Sequence, residues 1–338
     1  MDIKKYELEY INCPLCGSNQ LEIYLSNVKE IYVGLDEYFD LNKCIKCGHI
    51  FTNPRPTLST IEYFYPNEMD YYLPKDVYEL STFKQNILNN ILNEVKNYSL
   101  DVTFSLPPLV SKILFYYFNY KISYDKKIPN YVNNGKLLEI GCSWGSYLLQ
   151  MQKLGWDVYG VEMNTKASEY AKKILNSDNI MNNKIENIDF KSTLFDVIVL
   201  NMVLEHIYDP IKLLNIIKSI LKPNGIIIIN IPNIDSIEFK IFKDKSYFVQ
   251  VPQHVHHFNY MTINKLLEKT GFNMISAYYN NSATDIYKSC KKNNNNFKVC
   301  KCIDNRFCSF LIKYTMKILG QIKKTSRMVI YASRNTLK

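Results

Sequence analysis

The sequence predicts an α/β protein with a doubly wound, mostly parallel sheet, preceded by a small cysteine-containing module and a helical segment. Three observations support this. Strand-like and helix-like patterns alternate from residue 136 onward, four cysteines form two C-x-x-C pairs near the start, and the stretch between these regions is rich in Tyr, Phe and Leu. We therefore expect a zinc-binding module at 1–56, a helical lid at 57–135 and the α/β domain at 136–338.

The four N-terminal cysteines stand in two matching motifs, 13-CPLCG-17 and 44-CIKCG-48, and 27 residues separate the second cysteine from the third. Each glycine permits the tight turn that aims two thiolates at one point. Four thiolates suit a tetrahedral Zn²⁺ ion and leave no open coordination position. We expect a structural zinc site in a zinc-ribbon-like module, with strands at 21–25 and 31–41 in the gap; the ligands are Cys13, Cys16, Cys44 and Cys47.

The segment 57–135 is predicted to form helices that cover a ligand. Four tyrosines in it are candidate lid contacts, with core packing as the alternative: Tyr63, Tyr65, Tyr71 and Tyr72. The longest stretch without Asp, Glu, Lys or Arg, residues 246–264, contains three histidines and other polar side chains, so no membrane span is predicted. The N-terminal MDIKKYELEY carries charges throughout and does not resemble a signal peptide, so we expect a cytoplasmic protein.

The α/β domain is predicted from alternating patterns. Apolar runs predict strands at 136–140, 156–162, 195–200 and 226–231, and amphipathic runs predict helices at 146–155, 165–175 and 211–221. The unbroken 226-IIIINI-231 is typical of a parallel strand that is buried on both faces. Two further strands near 272–279 and 327–333 would close the sheet. Ligands of such sheets bind at the carboxyl ends of the strands.

Polar residues follow those strand ends. The first strand leads into 139-EIGCSWG-145, where Gly141 and Gly145 would let a ligand approach the backbone. Ser143 stands where a dinucleotide fingerprint requires its second glycine, which disfavours a pyrophosphate. Glu162 lies 21 residues beyond Gly141 and can accept hydrogen bonds from both ribose hydroxyls. The pattern indicates an adenosine cofactor without phosphates.

Five segments resemble class I S-adenosylmethionine-dependent methyltransferases that carry an N-terminal four-cysteine zinc module: 138-LEIGCSWG-145, 159-YGVEMN-164, 195-FDVIVLNMVLEHIYDP-210, 221-LKPNGIIIINIPN-233 and 252-PQHVHHF-258. The resemblance implies a Rossmann-like seven-stranded sheet and S-adenosylmethionine as cofactor. It implies a small-molecule acceptor, such as a nucleotide-linked sugar or a glycan intermediate. The cofactor-binding residues that it implies are Glu139, Gly141, Ser143, Gly145, Glu162, Met163, Glu186 and Asn201.

The late motif bears on the type of methylation. The related C-methylating sugar enzymes carry a tyrosine, a glutamate and a histidine there, and the corresponding residues here are Val251, Gln253 and His254. Loss of two of the three favours O- or N-methylation. A hydroxyl acceptor requires a base, and histidine suits this role near neutral pH. We expect His254 to act, with His206 as the other candidate base and Glu205 to orient a neighbour.

Other interpretations of the histidines stay open. Alternation along 254-HVHHF-258 would place His254 and His256 on one face and His257 on the other, so one or two of them would only pack. A catalytic metal is less favoured, because carboxylate ligands are not evident in the sequence. His49 belongs to the zinc module and is expected to be structural.

The net charge of +9 is unevenly distributed. Residues 288–338 hold 13 Lys/Arg and one acid, a net +12, while the rest of the chain carries −3. Most of this charge lies in a basic, Asn-rich insertion at about 281–325. The insertion allows an alternative function as an RNA methyltransferase. A solvated lysine-rich surface is the favoured explanation of the charge. A non-catalytic scaffold that has kept a cofactor fold is a third interpretation.

The remaining cysteines give weaker signals. Chain length and the charged N-terminus argue against disulfides. The spacing of Cys290, Cys300, Cys302 and Cys308 fits no common zinc pattern. Cys142, inside the cofactor loop, is expected to pack against the sheet and to have no nucleophilic role.

Overall fold

The computed structural model describes residues 6–65, 81–117, 127–279, 284–292, 300, 315 and 323–334. Its strands are β1 Leu8–Glu9, β2 Leu21–Lys29, β3 Tyr38–Cys44, β4 Ile50–Thr52, β5 Arg55–Pro56, β6 Lys136–Ile140, β7 Asp157–Val161, β8 Ile180–Met181, β9 Phe195–Asn201, β10 Leu221–Pro232, β11 His256–His257, β12 Phe272–Tyr279 and β13 Arg327–Arg334. Its α-helices are α1 Thr82–Lys96, α2 Pro108–Tyr117, α3 Ser146–Lys153, α4 Thr165–Leu175, α5 Pro210–Ile220, α6 Ile237–Phe242, α7 Tyr260–Lys269 and α8 Thr284–Lys292.

Seven strands form one mixed sheet in the order β12-β13-β10-β9-β6-β7-β8. Strand β6 runs parallel to both β7 and β9, β7 runs parallel to β8, and β12 pairs antiparallel with β13 at the edge. The chain continues from β6 to β7 on one side and returns to β9 on the other. This reversal is the topological switch point at which α/β sheets bind ligands. The predicted Rossmann-like fold with seven strands is confirmed.

The apolar runs explain the centre of this sheet. Leu137 of β6 lies opposite Val158 of β7 on one side and opposite Val197 of β9 on the other. All three side chains are buried, as expected for strands that are covered on both faces. The strand predicted at 226–231 is longer in the structure, because β10 begins at Leu221, directly after α5.

A second, four-stranded sheet has the order β11-β4-β3-β2. Three of its strands, β2, β3 and β4, come from the N-terminal cysteine-containing region. Strands β2 and β3 form an antiparallel pair, with Leu21 opposite Cys44. The strand predicted at 31–41 is wrong in its first half, because β3 begins only at Tyr38. The cause is Glu30, whose buried carboxylate accepts hydrogen bonds from the backbone N–H groups of residues 32–35 and folds them into a loop.

The segment predicted as a lid contains α1 and α2, so its helical character agrees with the sequence. Two buried asparagines of α1 bond the following loop, Asn86 to Phe104 O (2.9 Å) and Asn90 to the Leu106 N–H (2.8 Å). Its function as a lid stays a prediction, and Tyr71 and Tyr72 lie outside the described residues. Among the helices described, none is long and apolar enough to cross a membrane.

The chain divides into two compact units. The first contains Met1–Glu68, Met202–Asn215 and Ile229–Asn335, and the second contains Met69–Asn201, Ile216–Ile228 and Thr336–Lys338. The boundaries that the sequence predicts after residues 56 and 135 stay predictions.

The basic C-terminal region departs from expectation in one respect. Cys290 of α8 forms a disulfide with Cys300, so the expectation that the chain contains no disulfide is wrong. Cys302 and Cys308 lie outside the described residues. Nearby, Asp285 binds Arg327 through both carboxylate oxygens, at 2.7 and 3.1 Å, which ties α8 to β13.

Candidate functional site

The loop after β6 is held by the end of β7. The backbone N–H groups of Gly141 and Cys142 both donate to Val161 O, at 2.8 and 3.1 Å. Gly141 has φ +71° and Ser143 has φ +49°, so the backbone turns through two left-handed residues. Cys142 is buried with its Sγ against Gly160, where an added Cβ would lie 2.7 Å from the sulfur. This agrees with the packing role predicted for Cys142.

Gly145 has a packing role in addition to the role predicted for it. A Cβ at this position would lie 3.0 Å from Ala171 Cβ and 3.3 Å from Leu175 Cδ1, both on α4. The residue also has φ +76°, which favours glycine. Gly145 therefore lets α3 begin close against α4, and its predicted place in the cofactor loop stays a prediction.

Glu162 is fixed at the end of β7. Its Oε2 accepts from the Ser143 N–H and its Oε1 from the Asn164 N–H, both at 2.8 Å. A carboxylate offers about four lone-pair positions, so both oxygens keep acceptor capacity. Glu162 is partly exposed and thus accessible to a ligand. The geometry suits a pair of neighbouring hydroxyl groups.

Glu139 of β6 and Asn201 of β9 form a buried polar pair. Asn201 Nδ2 donates to Glu139 Oε1 at 2.6 Å. The remaining oxygens, Glu139 Oε2 and Asn201 Oδ1, are buried and have no hydrogen-bond partner among the residues described. Burial raises the pKa of the Glu139 carboxyl to about 8. A nearby cation favours the ionised carboxyl, and the two oxygens without donors then fit a ligand ammonium group, which has three N–H donors.

The other predicted cofactor residues lie at the surface of the same unit. Met163 exposes 65% of its area, so a flat ring that packs on it would bury apolar surface. Glu186 is exposed in a 3₁₀ turn at Ile185–Asn187. The sequence interpretation missed Trp144, whose buried Nε1 donor has no partner in the described part of the chain. Its position between Gly141 and Gly145 is the signal that would have identified it.

The first unit contains a second polar cluster, formed by Glu205, His206 and His254. One ligand atom from each of the three lies within 4.8 Å of the other two, and the imidazole ring centroids are 4.6 Å apart. His206 Nδ1 lies 2.9 Å from Gln253 O, and His254 Nδ1 lies 2.8 Å from Phe248 O. A carbonyl only accepts, so both Nδ1 atoms carry the proton and both Nε2 atoms keep a lone pair.

Burial determines the protonation states in this cluster. It lowers the pKa of His206 to about 4 and that of His254 well below its usual value, so both imidazoles are neutral at pH 7. It raises the pKa of Glu205 to about 8. The structure thus brings together the three residues that the sequence nominated for acceptor chemistry.

The other histidines are committed to packing. His49 Nε2 lies 3.0 Å from His256 Nδ1, and His256 Nε2 bonds Ile207 O at 2.9 Å. His257 is buried and its Nε2 lies 3.5 Å from Thr52 Oγ1. The predicted alternation does not apply, because strand β11 contains only His256 and His257. His256 pairs with His49, while His254 contacts His206.

The four N-terminal cysteines form one cluster. The Sγ atoms of Cys13 and Cys47 are 3.4 Å apart, and those of Cys16 and Cys44 are 3.5 Å apart. The two knuckles match, since Gly17 N–H donates to Cys13 O and Gly48 N–H donates to Cys44 O, both at 2.8 Å. Four sulfurs at these separations can surround one metal ion.

Comparison with known proteins gives a match over the middle of the chain. Residues 121–277 match the model of a family described as a methyltransferase domain. The chain is 27% identical over 122 residues to the ubiquinone biosynthesis O-methyltransferase of Actinobacillus pleuropneumoniae, a stretch that covers 32% of this chain and 50% of that protein. It is 33% identical over 107 residues to the mitochondrial ubiquinone biosynthesis O-methyltransferase of Schizosaccharomyces pombe, covering 30% of this chain and 39% of that protein.

The chain thus spans about half of the length, or less, of these two curated relatives. Among solved structures, it is similar to the plantazolicin methyltransferase BpumL, with a TM-score of 0.41 and 17% identity. That alignment covers 75% of this chain and 91% of BpumL.

The matched segment includes β6, β7 and β9, with the strand reversal beside β6 and the carboxylates that end β6 and β7. An α/β sheet of this kind binds its ligand at that reversal, and the residues there suit a nucleoside with an ammonium group. We conclude that the chain contains a class I S-adenosylmethionine-dependent methyltransferase domain.

Proposed function

We propose that the protein transfers a methyl group from S-adenosylmethionine to an oxygen of a small-molecule acceptor. This acceptor is a sugar, free or nucleotide-linked, or a glycan intermediate. The observation that carries this proposal is the buried pair of unpartnered acceptors, Glu139 Oε2 and Asn201 Oδ1, in a segment that matches the methyltransferase family. The ammonium group of the cofactor's methionine part supplies the donors that these oxygens lack.

Different residues of the second unit bind different parts of this cofactor. Glu139 and Asn201 hold the ammonium group, and Glu162 holds the ribose hydroxyls. The loop at Gly141 and Ser143 lines the methionine and ribose parts, Met163 packs on the adenine and Glu186 marks the adenine edge. Gly145 keeps the loop in place against α4. S-adenosylmethionine, when bound, supplies the electrophilic methyl group.

The cluster of the first unit handles the acceptor. A neutral imidazole with a free Nε2 lone pair can take the proton of a hydroxyl as the methyl group is transferred. His254 and His206 both offer such an atom, and their Nδ1 bonds to carbonyls keep the rings in that tautomer. We assign the base to His254, with His206 beside it and Glu205 as an orienting group.

Two observations favour oxygen over carbon as the acceptor atom. The curated relatives named above are O-methyltransferases, and here Val251 and Gln253 replace the tyrosine and glutamate of the C-methylating group. Gln253 is committed elsewhere, since its Nε2 donates to Phe64 O at 2.5 Å. It therefore serves the core of its unit.

Incubation with methyl-labelled cofactor tests the proposal. A panel of nucleotide sugars, free sugars, phenols and total RNA is offered, and label is expected in a sugar-containing product. Transfer to RNA alone would establish the RNA alternative. Of the three described lysines of α8, Lys288 and Lys292 lie against the Tyr247 ring at 4.5 and 5.9 Å, whereas Lys291 is exposed. Cofactor binding without transfer to any class would favour the scaffold interpretation.

Replacement of the proposed base has a specific expected effect. His254→Ala should lower kcat by about 10² to 10⁴, the usual contribution of a positioned base. The affinity for S-adenosylmethionine should not change, because the cofactor residues are others. Single-turnover methyl transfer and calorimetry on the same preparation measure both quantities. Unchanged kcat would remove His254 from the mechanism.

We also propose that Cys13, Cys16, Cys44 and Cys47 bind a structural Zn²⁺ ion. Four thiolates leave no position for a substrate, so the ion holds the antiparallel sheet together. Cys44→Ser should reduce the bound zinc by one ion per chain and lower the melting temperature. Elemental analysis and thermal unfolding measure this, with Cys142→Ser as the control that keeps its zinc. Full zinc content in Cys44→Ser would contradict the assignment.

A further inference from the structure

The Glu205–His206–His254 cluster has a feature that the proposed function does not require. Both oxygens of Glu205 are buried and have no hydrogen-bond partner within the described chain. The side chain is fully enclosed, with 0% exposure. A buried carboxylate is costly unless it is paired, protonated or bound to a metal ion.

The surrounding cations do not pair with Glu205. Arg327 is the basic residue whose charge acts on Glu205, but its guanidinium binds Asp285 through Nε and Nη2 at 3.1 and 2.7 Å. Asp285 is itself buried and also accepts from Ser326 Oγ at 2.8 Å, so the guanidinium is already paired with another carboxylate. The positions next to the Glu205 oxygens are instead taken by two neutral imidazoles.

The two histidines are oriented as metal ligands are. Each Nδ1–H donates to a backbone carbonyl, Gln253 O for His206 and Phe248 O for His254. Ligating histidines almost always make such a bond with the other ring nitrogen, since it fixes the tautomer and the ring plane. The backbone also holds the cluster, with Val255 N–H to Glu205 O at 2.9 Å and His254 N–H to Gln250 O at 2.9 Å.

We propose that Glu205, His206 and His254 bind a divalent transition-metal ion through one carboxylate oxygen and two Nε2 atoms. Two imidazoles and one carboxylate suit Zn²⁺, Fe²⁺, Co²⁺ or Mn²⁺, whereas Ca²⁺ and Mg²⁺ prefer oxygen ligands alone. Three protein ligands leave coordination positions open for water or for an acceptor oxygen. The site differs from the four-cysteine cluster in both its ligand atoms and its open positions.

The inference does not rest on the proposed methyl transfer, because it concerns binding alone. A bound ion would use the same Nε2 lone pairs that a histidine base uses. The ion and the free base therefore belong to two different states of the cluster.

Manganese binding to the full-length, zinc-containing chain tests the inference. Mn²⁺ is the appropriate probe because it accepts nitrogen and oxygen ligands and competes poorly for thiolates, which leaves the cysteine cluster unchanged. Free Mn²⁺ is followed by electron paramagnetic resonance during a titration. We expect one bound Mn²⁺ per chain, with electron spin echo modulation from imidazole nitrogen.

Two variants and a matched control complete the experiment. Glu205→Gln and His254→Ala should each weaken Mn²⁺ binding by at least about tenfold. Glu238→Gln removes another buried carboxylate of the same unit, one that has hydroxyl partners in Ser246 and Ser289, and should bind as the wild type does. Absence of stoichiometric binding, absence of the nitrogen modulation or wild-type affinity in Glu205→Gln would each overturn the inference. Because methyl transfer is not measured, either result leaves the proposed function to its own test.

Discussion

Glu238 shows how burial controls a carboxyl group in this protein. The side chain is fully enclosed and accepts hydrogen bonds from Ser246 Oγ, at 2.9 Å to each oxygen, and from Ser289 Oγ. Burial nevertheless raises its pKa from 4.5 to about 7, so loss of hydration outweighs the hydroxyl groups. The carboxyl is therefore protonated in the folded protein at mildly acidic pH, where it would be ionised in the unfolded chain.

The stability of the protein should depend on pH through this residue. Between pH 4.5 and about 7 the folded state holds a proton that the unfolded state has released, so wild-type stability falls as pH rises. The glutamine in Glu238→Gln is neutral at every pH, so this variant does not lose stability through that residue as pH rises. The stability of the variant relative to the wild type should rise by up to about 1.4 kcal/mol per pH unit in that window. Urea unfolding of both proteins at pH 5, 6 and 8 measures the difference, and a difference that is independent of pH would contradict the account.

Individual site residues differ in how well the sequence predicts them. Glu139, Glu162 and Asn201 follow from strand register, because parallel strands end at one edge and the residues that end them meet there. The orientation of His254 does not follow from any pattern. It depends on the carbonyl groups of Phe248 and Gln250, which come from the irregular chain before the residue.

At the scale of elements, the apolar runs predicted β6, β7, β9, β12 and β13 to within about two residues, because burial on both faces leaves little freedom of sequence. The first half of the predicted strand 31–41 failed, since one Glu30 side chain competes successfully for four backbone donors. Side chain to backbone bonds of this kind leave no periodic signal. The sequence did not predict the Cys290–Cys300 disulfide, because the spacing of cysteines does not specify which two of them pair.

The contact between α3 and α4 gives a test at this scale. Gly145→Ala should destabilise the protein by about 1–4 kcal/mol, because the new Cβ meets Ala171 at 3.0 Å and φ is +76°. Chemical denaturation measures the change in the free energy of unfolding.

Two further variants separate the causes of that change. Gly155→Ala has a positive φ of +90° but neighbours no closer than 3.5 Å, so it reports the backbone strain alone. Addition of Ala171→Gly to Gly145→Ala should restore the packing part of the loss. A Gly145→Ala effect no larger than that of Gly155→Ala would show that helix packing is not the reason for this glycine.

At the scale of the whole molecule, the donor chemistry was more predictable than the acceptor chemistry. The proposed cofactor residues occupy one segment, 136–201, in which β6 lies between β7 and β9 in the sheet. The Glu205–His206–His254 cluster combines residues that are far apart in the sequence. Only the folded chain shows which of the later histidines lies beside Glu205 and His206. The positive charge is concentrated in residues 288–338, most of which lie outside the described residues, so it assigns no partner.

Calorimetric titration of the full-length protein with S-adenosylmethionine tests the central claim most directly. We expect the wild type to bind one equivalent. Glu139→Gln should bind about 10- to 100-fold more weakly, since it replaces a charged acceptor of the ammonium group. Glu238→Gln changes a buried carboxylate that is not among the proposed cofactor residues, and it should retain wild-type affinity. No binding by the wild type, or equal affinity in Glu139→Gln, would contradict the account.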